Sequence, residues 1–148
     1  MGEQMEQAAR SGKQNIVEAS NQRTSTKIEL KLLGIARGSL QELLEDYEDF
    51  LRQKSLAHWA RDSAQARAVR ELAYRSNKSY GTYRSYLASP DMAANAVICL
   101  INQTNFLLDR QIKSLEEKFI KEGGWSEQMR KKREQVKKRQ RYYIADHW

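Results

Sequence analysis

The residues of this sequence that come closest to enzyme chemistry are four carboxylates, Glu42, Glu45, Asp46 and Asp49. Their i, i+3, i+4, i+7 spacing puts all four on one helix face, where paired carboxylates can hold Mg²⁺ for metal-assisted hydrolysis. Such a site needs a second carboxylate pair on a facing helix. The third long helical segment supplies Asp109, Glu116 and Glu117 for that role, and nothing in its pattern turns them inward. A solvated acidic face, or a docking strip for a neighbour's arginines, explains the same spacing without a metal. His58 and His147 lack metal-ligand spacing, Ser11 and Ser39 have no base in the pattern, and no glycine-rich phosphate loop occurs. Cys99 sits beside an apolar seam and reads as packing. These residues predict a non-enzymatic protein with no metal and no cofactor.

Positive charge is the stronger signal. The segment Gln128–Arg141 holds Arg130, Lys131, Lys132, Arg133, Lys137, Lys138, Arg139 and Arg141 against the single acid Glu134. That segment therefore carries the whole net charge of +7, and the rest of the chain balances 18 bases with 18 acids. A basic segment on a neutral body points to a polyanionic partner, nucleic acid or an acidic protein surface. The plainer alternative is a solvated terminal helix.

Tyrosine placement points the same way. Tyr142 and Tyr143 abut the basic segment, while Tyr74, Tyr80, Tyr83 and Tyr86 are interleaved with Arg75, Lys78 and Arg84. Rings beside cations suit single-stranded RNA or DNA, because bases stack on the rings and phosphates follow the cations. The rings could instead pack over one end of a helical body. Arg10 and Lys13, one turn apart, extend the basic set. Arg37 is expected in a salt bridge with Glu18 or another helix acid, and Asn15 and Glu18 in helix-end or inter-helix hydrogen bonds.

Helices must position all of these groups. With one proline and seven glycines in 148 residues, the composition favours long uninterrupted helices. A first helix is predicted over Glu3–Asn21, with Met5, Ala9, Gly12, Ile16 and Ala19 as its apolar stripe. A Thr26/Glu29 capping box starts a second over Lys27–Lys54, with Leu33, Ala36, Leu40, Leu43, Tyr47 and Phe50 in a 3-4 repeat. Ile28, Leu32 and Ile35 widen that face, and Gly34 and Gly38 offer close backbone approach. Asp62 and Gln65 are expected to cap a short helix reaching Arg75, followed by a loop over Ser76–Leu87. Ser89, Pro90 and Asp91 open a third long helix to Glu122, on a seam of Ile98, Ile101, Asn105, Leu108, Ile112, Leu115 and Phe119. Asn105 on that seam is expected to fix register or oligomeric state. Gly123-Gly124 ends the helix, and Ser126 caps the basic one. Three strong core helices leave an apolar groove, to be filled by the short helix, the last helix or another subunit, and the last helix is a poor candidate because Met129, Val136 and Ile144 are its only aliphatic residues. Self-association is therefore expected. No apolar run reaches the ~20 residues that span a bilayer, and no secretory leader is evident. With one cysteine, a reducing cytoplasmic setting is expected.

Two stretches carry a family resemblance: Ala9-Arg-Ser-Gly-Lys-Gln-Asn-Ile-Val-Glu18 and Ile35-Ala-Arg-Gly-Ser-Leu-Gln-Glu-Leu43. They resemble the paired signatures of the bacterial four-helix-bundle proteins encoded within intervening sequences of 23S ribosomal RNA genes. The accessory variability determinant of diversity-generating retroelements is similar. The turn at Gly123-Gly124-Trp125 and its extension look like a subgroup with a C-terminal suffix. The match covers Gln4–Trp125. It implies an all-α, up-down four-helix bundle over residues 1–122 with a basic helical extension over 123–148, assembled as a homo-oligomer, expected to be a pentamer, that acts on nucleic acid as an accessory factor. Family members carry a helix before the first motif, so this chain reads as N-terminally truncated. Ala19 stands where the family pattern has glycine. The competing expectation is a scaffold whose basic extension docks an acidic protein partner.

Overall fold

A computed structural model of the chain describes residues 2–21 and 26–146. The elements among them are all helical: α1 (Gly2–Asn21), α2 (Thr26–Gln53), α3 (Ala64–Leu72), a 3₁₀ helix (Tyr80–Ala88), α4 (Pro90–Glu122) and α5 (Trp125–Asp146). No helix among the described residues is long and apolar enough to cross a membrane. The break between the first two helices falls on residues 22–25, outside those described. Thr26 is itself helical, so it is not the non-helical cap that its spacing to Glu29 predicts.

Helix α2 is the spine, with α1 packed along one flank and α4 along another. Both neighbours run antiparallel to it. The α1–α2 groove passes from Ser11 and Ser39 to Gln4 and Asp49, while Arg37 pairs with Asp109 and the start of α4 meets the segment just after α2. The predicted repeat forms the main core: Leu33, Leu40, Leu43, Leu44 and Leu51 bury against Ala94, Ile98, Ile101 and Leu108 of α4 and Ala19 of α1. Each fully buried leucine-sized side chain contributes about 1.5–3 kcal/mol.

Several details of register differ from expectation. On α1 it is Ala8, not Ala9, that packs against the core; both satisfy the small-residue pattern, and the position of α2 decides between them. Close backbone approach occurs at Gly12, where a Cβ would sit 3.2 Å from Leu40 Cγ. Gly34 and Gly38 instead face open space. Ile28 and Ile35 remain 44% and 43% exposed while Leu32 between them packs against the core, so the widened half of the α2 face is covered only in part.

The end of α2 is a Schellman motif. The Leu56 N–H donates to the Leu51 carbonyl at 2.9 Å and the Ser55 N–H to that of Arg52 at 3.1 Å. Ser55 adopts φ 53°, the left-handed conformation usually given to glycine, and Leu56 packs against the same core as Leu51.

Helix α3 does not fill the groove between the long helices. It covers another flank of α4, where Ala66 and Val69 join Ala96 and Cys99 in a second, smaller core with Trp59 and Tyr86 packed on it. Its cap is Ser63, whose hydroxyl accepts the Ala66 N–H at 3.2 Å, rather than Asp62 or Gln65, and the helix ends at Leu72, short of Arg75. The predicted loop over 76–87 holds the 3₁₀ helix. Tyr80, Tyr83 and Tyr86 recur every three residues, the period of that helix, so they share one side of it.

At α4, Ser89 occupies the N-cap position and Pro90 opens the helix, but the Ser89 side chain caps no backbone N–H. Its hydroxyl lies against the Asp91 carboxylate and holds that group below its ordinary range. Asn105 is 4% exposed and neither polar atom of its side chain has a hydrogen-bond partner. Glycine is required at both residues after α4. Gly123 adopts φ 72°, and a Cβ on Gly124 would meet the Phe119 ring at 2.8 Å. The Glu127 and Gln128 N–H groups donate to the Gly124 carbonyl at 2.9 and 3.0 Å, so Gly124 takes the cap position expected of Ser126.

Candidate nucleic-acid interface

The basic segment forms one continuous helix, α5, and every side chain from Ser126 to Tyr142 is exposed. At 100° per residue, Arg130, Arg133, Lys137 and Arg141 form a row along one face. Lys131 and Lys138 flank that row, and Lys132 and Arg139 lie further round. The ion pairs among the described residues are Arg10–Glu6 at 2.6 Å, Arg37–Asp109 at 2.9 Å and Arg52–Asp49 at 2.6 Å, and none engages α5. Arg133, Lys137 and Arg141 are successive i, i+4 neighbours of like charge, each pair costing about 0.2–0.5 kcal/mol. Glu134, one turn from both Arg130 and Lys138, relieves this only in part. A bound polyanion removes the repulsion. Tyr142 beside the row is 73% exposed, while the side chain of Tyr143 lies outside the described part of the structure.

The other predicted contact residues are less free. Arg10 and Lys13 are exposed on α1, but Arg10 is committed to Glu6. Tyr74 and Tyr80 are 82% and 83% exposed. Tyr83 is half-buried, and Tyr86 packs edge-on against Trp59 at 6.4 Å between ring centroids. The ammonium of Lys78 folds back onto the Ala73 carbonyl. That group is therefore partly structural. Arg37 makes the expected salt bridge with a helix acid, which is Asp109 of α4 rather than Glu18, and donates at 3.1 Å to Gln41. Asn15 caps no helix end: its amide donates to the Ser11 carbonyl within α1 at 2.8 Å.

The carboxylate stripe lines an open groove of about 530 Å³ between α1 and α2. Facing it from α1 are Gln4, Gln7 and Ser11, amides and a hydroxyl rather than a second carboxylate pair. Asp49 pairs with Arg52, Glu45 accepts from Gln41 at 3.1 Å, and Asp109 is committed to Arg37. Ser11 and Ser39 hydrogen-bond each other across α1 and α2 at 3.0 Å.

Sequence reasoning missed a second concavity, a cleft of about 590 Å³ between residues 58–61, α3 and α4. Its walls are held by Asn95, which is 1% exposed. The Asn95 amide oxygen accepts the Trp59 N–H at 2.8 Å, and its amide nitrogen donates to the carbonyls of Ala57 at 2.8 Å and Asp91 at 2.9 Å. Cys99 lies in the cleft floor, where burial raises its thiol above the ordinary value and the nearby Arg70 opposes that shift. An apolar tryptophan in a segment with no helical period, Leu56–Trp59, was the one sequence signal for this site. In comparisons with family models, curated proteins and solved structures, no match to this chain was found.

Proposed function

We propose that this protein is a non-enzymatic, oligomeric helical accessory factor that binds RNA or single-stranded DNA through α5. The observation that carries the reading is a 22-residue helix whose eight cations are exposed and unpaired among the described residues. Phosphates spaced along a strand release counterions when such a row engages them, so affinity falls with salt by a log–log slope of about −0.7 per phosphate. If all eight cations engage, the slope approaches about −5.6, and affinity drops on the order of 10³-fold between 50 and 200 mM salt. Filter binding of mixed RNA and DNA oligonucleotides at those two concentrations tests this. Absence of binding at low salt ends it. Reversing Lys131, Lys132, Lys137 and Lys138 to Glu abolishes binding and leaves helicity unchanged.

Oligomerisation belongs to the same proposal. It is supported by the uncovered Ile28 and Ile35 on α2 and by Leu107, 58% exposed, on α4. The pentamer implied by the resemblance to ring-forming four-helix bundles is the expected stoichiometry, and light scattering measures it. A scaffold role is the second reading, favoured by Met129 and Val136, 39% and 53% exposed and seven residues apart on α5. Partner capture that survives nuclease treatment distinguishes it.

A further inference from the structure

We infer that the cleft beside α3 is a binding site for a nucleotide unit: its aromatic walls take the base, and Arg61 and Arg70 take the phosphate. This goes beyond the role given to α5 and stands without it. Four observations carry it.

The first is size and lining. At about 590 Å³ the cleft lies within the ~300–1,000 Å³ range of small-molecule sites. Its floor is apolar, from Ala66, Ile98 and Cys99, and Trp59, Tyr74 and Phe106 supply rings. The second is exposure. Phe106 and Tyr74 are 60% and 82% exposed at the cleft, surface on which a base can stack. The third is charge. Among the described residues Arg61 and Arg70 line the cleft and no carboxylate does; Arg110 adds a cation 5.8 Å from the centroid of the Phe106 ring. A neutral ring would leave the Arg61 guanidinium and the remaining donors of Arg70 unused, whereas a ring bearing a phosphate engages both parts of the lining. The amide of Asn102, also in the lining, offers a donor–acceptor pair that reads a base edge, while the Gln103 amide nitrogen donates to the Arg70 carbonyl at 3.4 Å and helps to hold the wall.

The fourth is preorganisation. Asn95 fixes the backbone of residues 57–59, Tyr86 braces the Trp59 indole, and Arg70 Nη2 donates to the Arg61 carbonyl at 2.7 Å. The cleft is therefore built before a ligand arrives, which lowers the ordering cost of binding. The nucleotide can come from a single strand or from a free mononucleotide; the recognised chemistry is the same.

The full chain is titrated with UMP, AMP, uridine and a uridine decamer, following intrinsic fluorescence and calorimetry. UMP or AMP binds about tenfold or more tightly than uridine, because only they reach the arginines. Phe106→Ala and Arg61→Ala, both at exposed side chains, each weaken binding by about tenfold with an unchanged circular dichroism melt. Ultraviolet crosslinking of the decamer to the peptide spanning 57–74 identifies the strand as the source; mononucleotide binding without that crosslink identifies free nucleotide. Charge reversal in α5 leaves UMP and AMP binding intact, so failure of the α5 role and failure of the cleft are separable. If neither the mononucleotides nor the decamer respond to Phe106→Ala and Arg61→Ala, the assignment is overturned.

Discussion

Removing the Asn95 side chain tests how the connector after α2 is held. Asn95→Ala deletes a donor and an acceptor that meet the Ala57 carbonyl and the Trp59 N–H, both at 2.8 Å. The third bond, to the Asp91 carbonyl at 2.9 Å, adds little, since that oxygen also serves the helix ladder. Two backbone groups are left without partners in a site where Asn95 itself is 1% exposed. Each such orphan costs about 1–3 kcal/mol, so a loss of about 2–4 kcal/mol is expected. Because Trp59 packs on the second core, the loss should appear first as local opening of α3 from α4. Urea denaturation followed by circular dichroism measures the global part. Alkylation of Cys99, buried in that core, measures the local part and should accelerate about 30-fold or more. Asn95→Asp keeps the acceptor but sets a carboxylate against two carbonyls. Burial raises the pKa of the introduced group, so the stability of that variant is greatest at pH below the unfolded value of about 3.9 and is lost as pH rises through the folded value. A change below about 1 kcal/mol for Asn95→Ala, with Cys99 reactivity unchanged, would refute the clamp.

Other substitutions probe the backbone and the seam. Ser55→Gly relieves a left-handed residue and should stabilise the chain by about 0.5–1 kcal/mol in urea melts. Gly34→Ala and Gly38→Ala, which meet nothing within 4 Å, should each add a similar amount; loss of solution mass in these variants would place that face at a subunit contact. Asn105→Leu removes two buried polar atoms without partners and should raise the urea midpoint by about 1–2 kcal/mol equivalent, whereas a fall would mean the amide is bonded in the assembly. Burial raises both the Cys99 thiol and the Tyr47 hydroxyl. Their stabilisation is complete below their unfolded values and disappears as pH rises through the folded ones, so thermal midpoints should fall on the alkaline side, beyond about pH 8.5.

The long helices were legible because a 3-4 apolar repeat such as Leu33–Ala36–Leu40–Leu43 is sufficient to define a buried face. The exposure of α5 was also legible, since it has too few aliphatic residues to bury a face. What failed were choices that depend on a neighbour. Ala8 and Ala9 are equivalent until α2 is present, and Gly34 and Gly12 look alike until Leu40 approaches one of them. The Asn95 clamp was invisible because its partners across the chain are backbone groups 36 and 38 residues away. The cleft was hidden for a similar reason: Trp59, Arg70 and Phe106 belong to the connector after α2, to α3 and to α4. The 3₁₀ helix, in contrast, does carry a sequence signal, the three-residue period of Tyr80, Tyr83 and Tyr86.

The joint at Gly123 and Gly124 sets where α5 points. A helix of 22 residues is a rod of about 33 Å, so a 10° change at its pivot carries the far end through about 6 Å, close to one nucleotide step along an extended strand. The aim of the cationic row is thus governed by two residues that bear no charge. Replacing Gly123, whose φ of 72° suits no other side chain well, should redirect the rod and change which phosphates it can span, while every lysine and arginine remains in place.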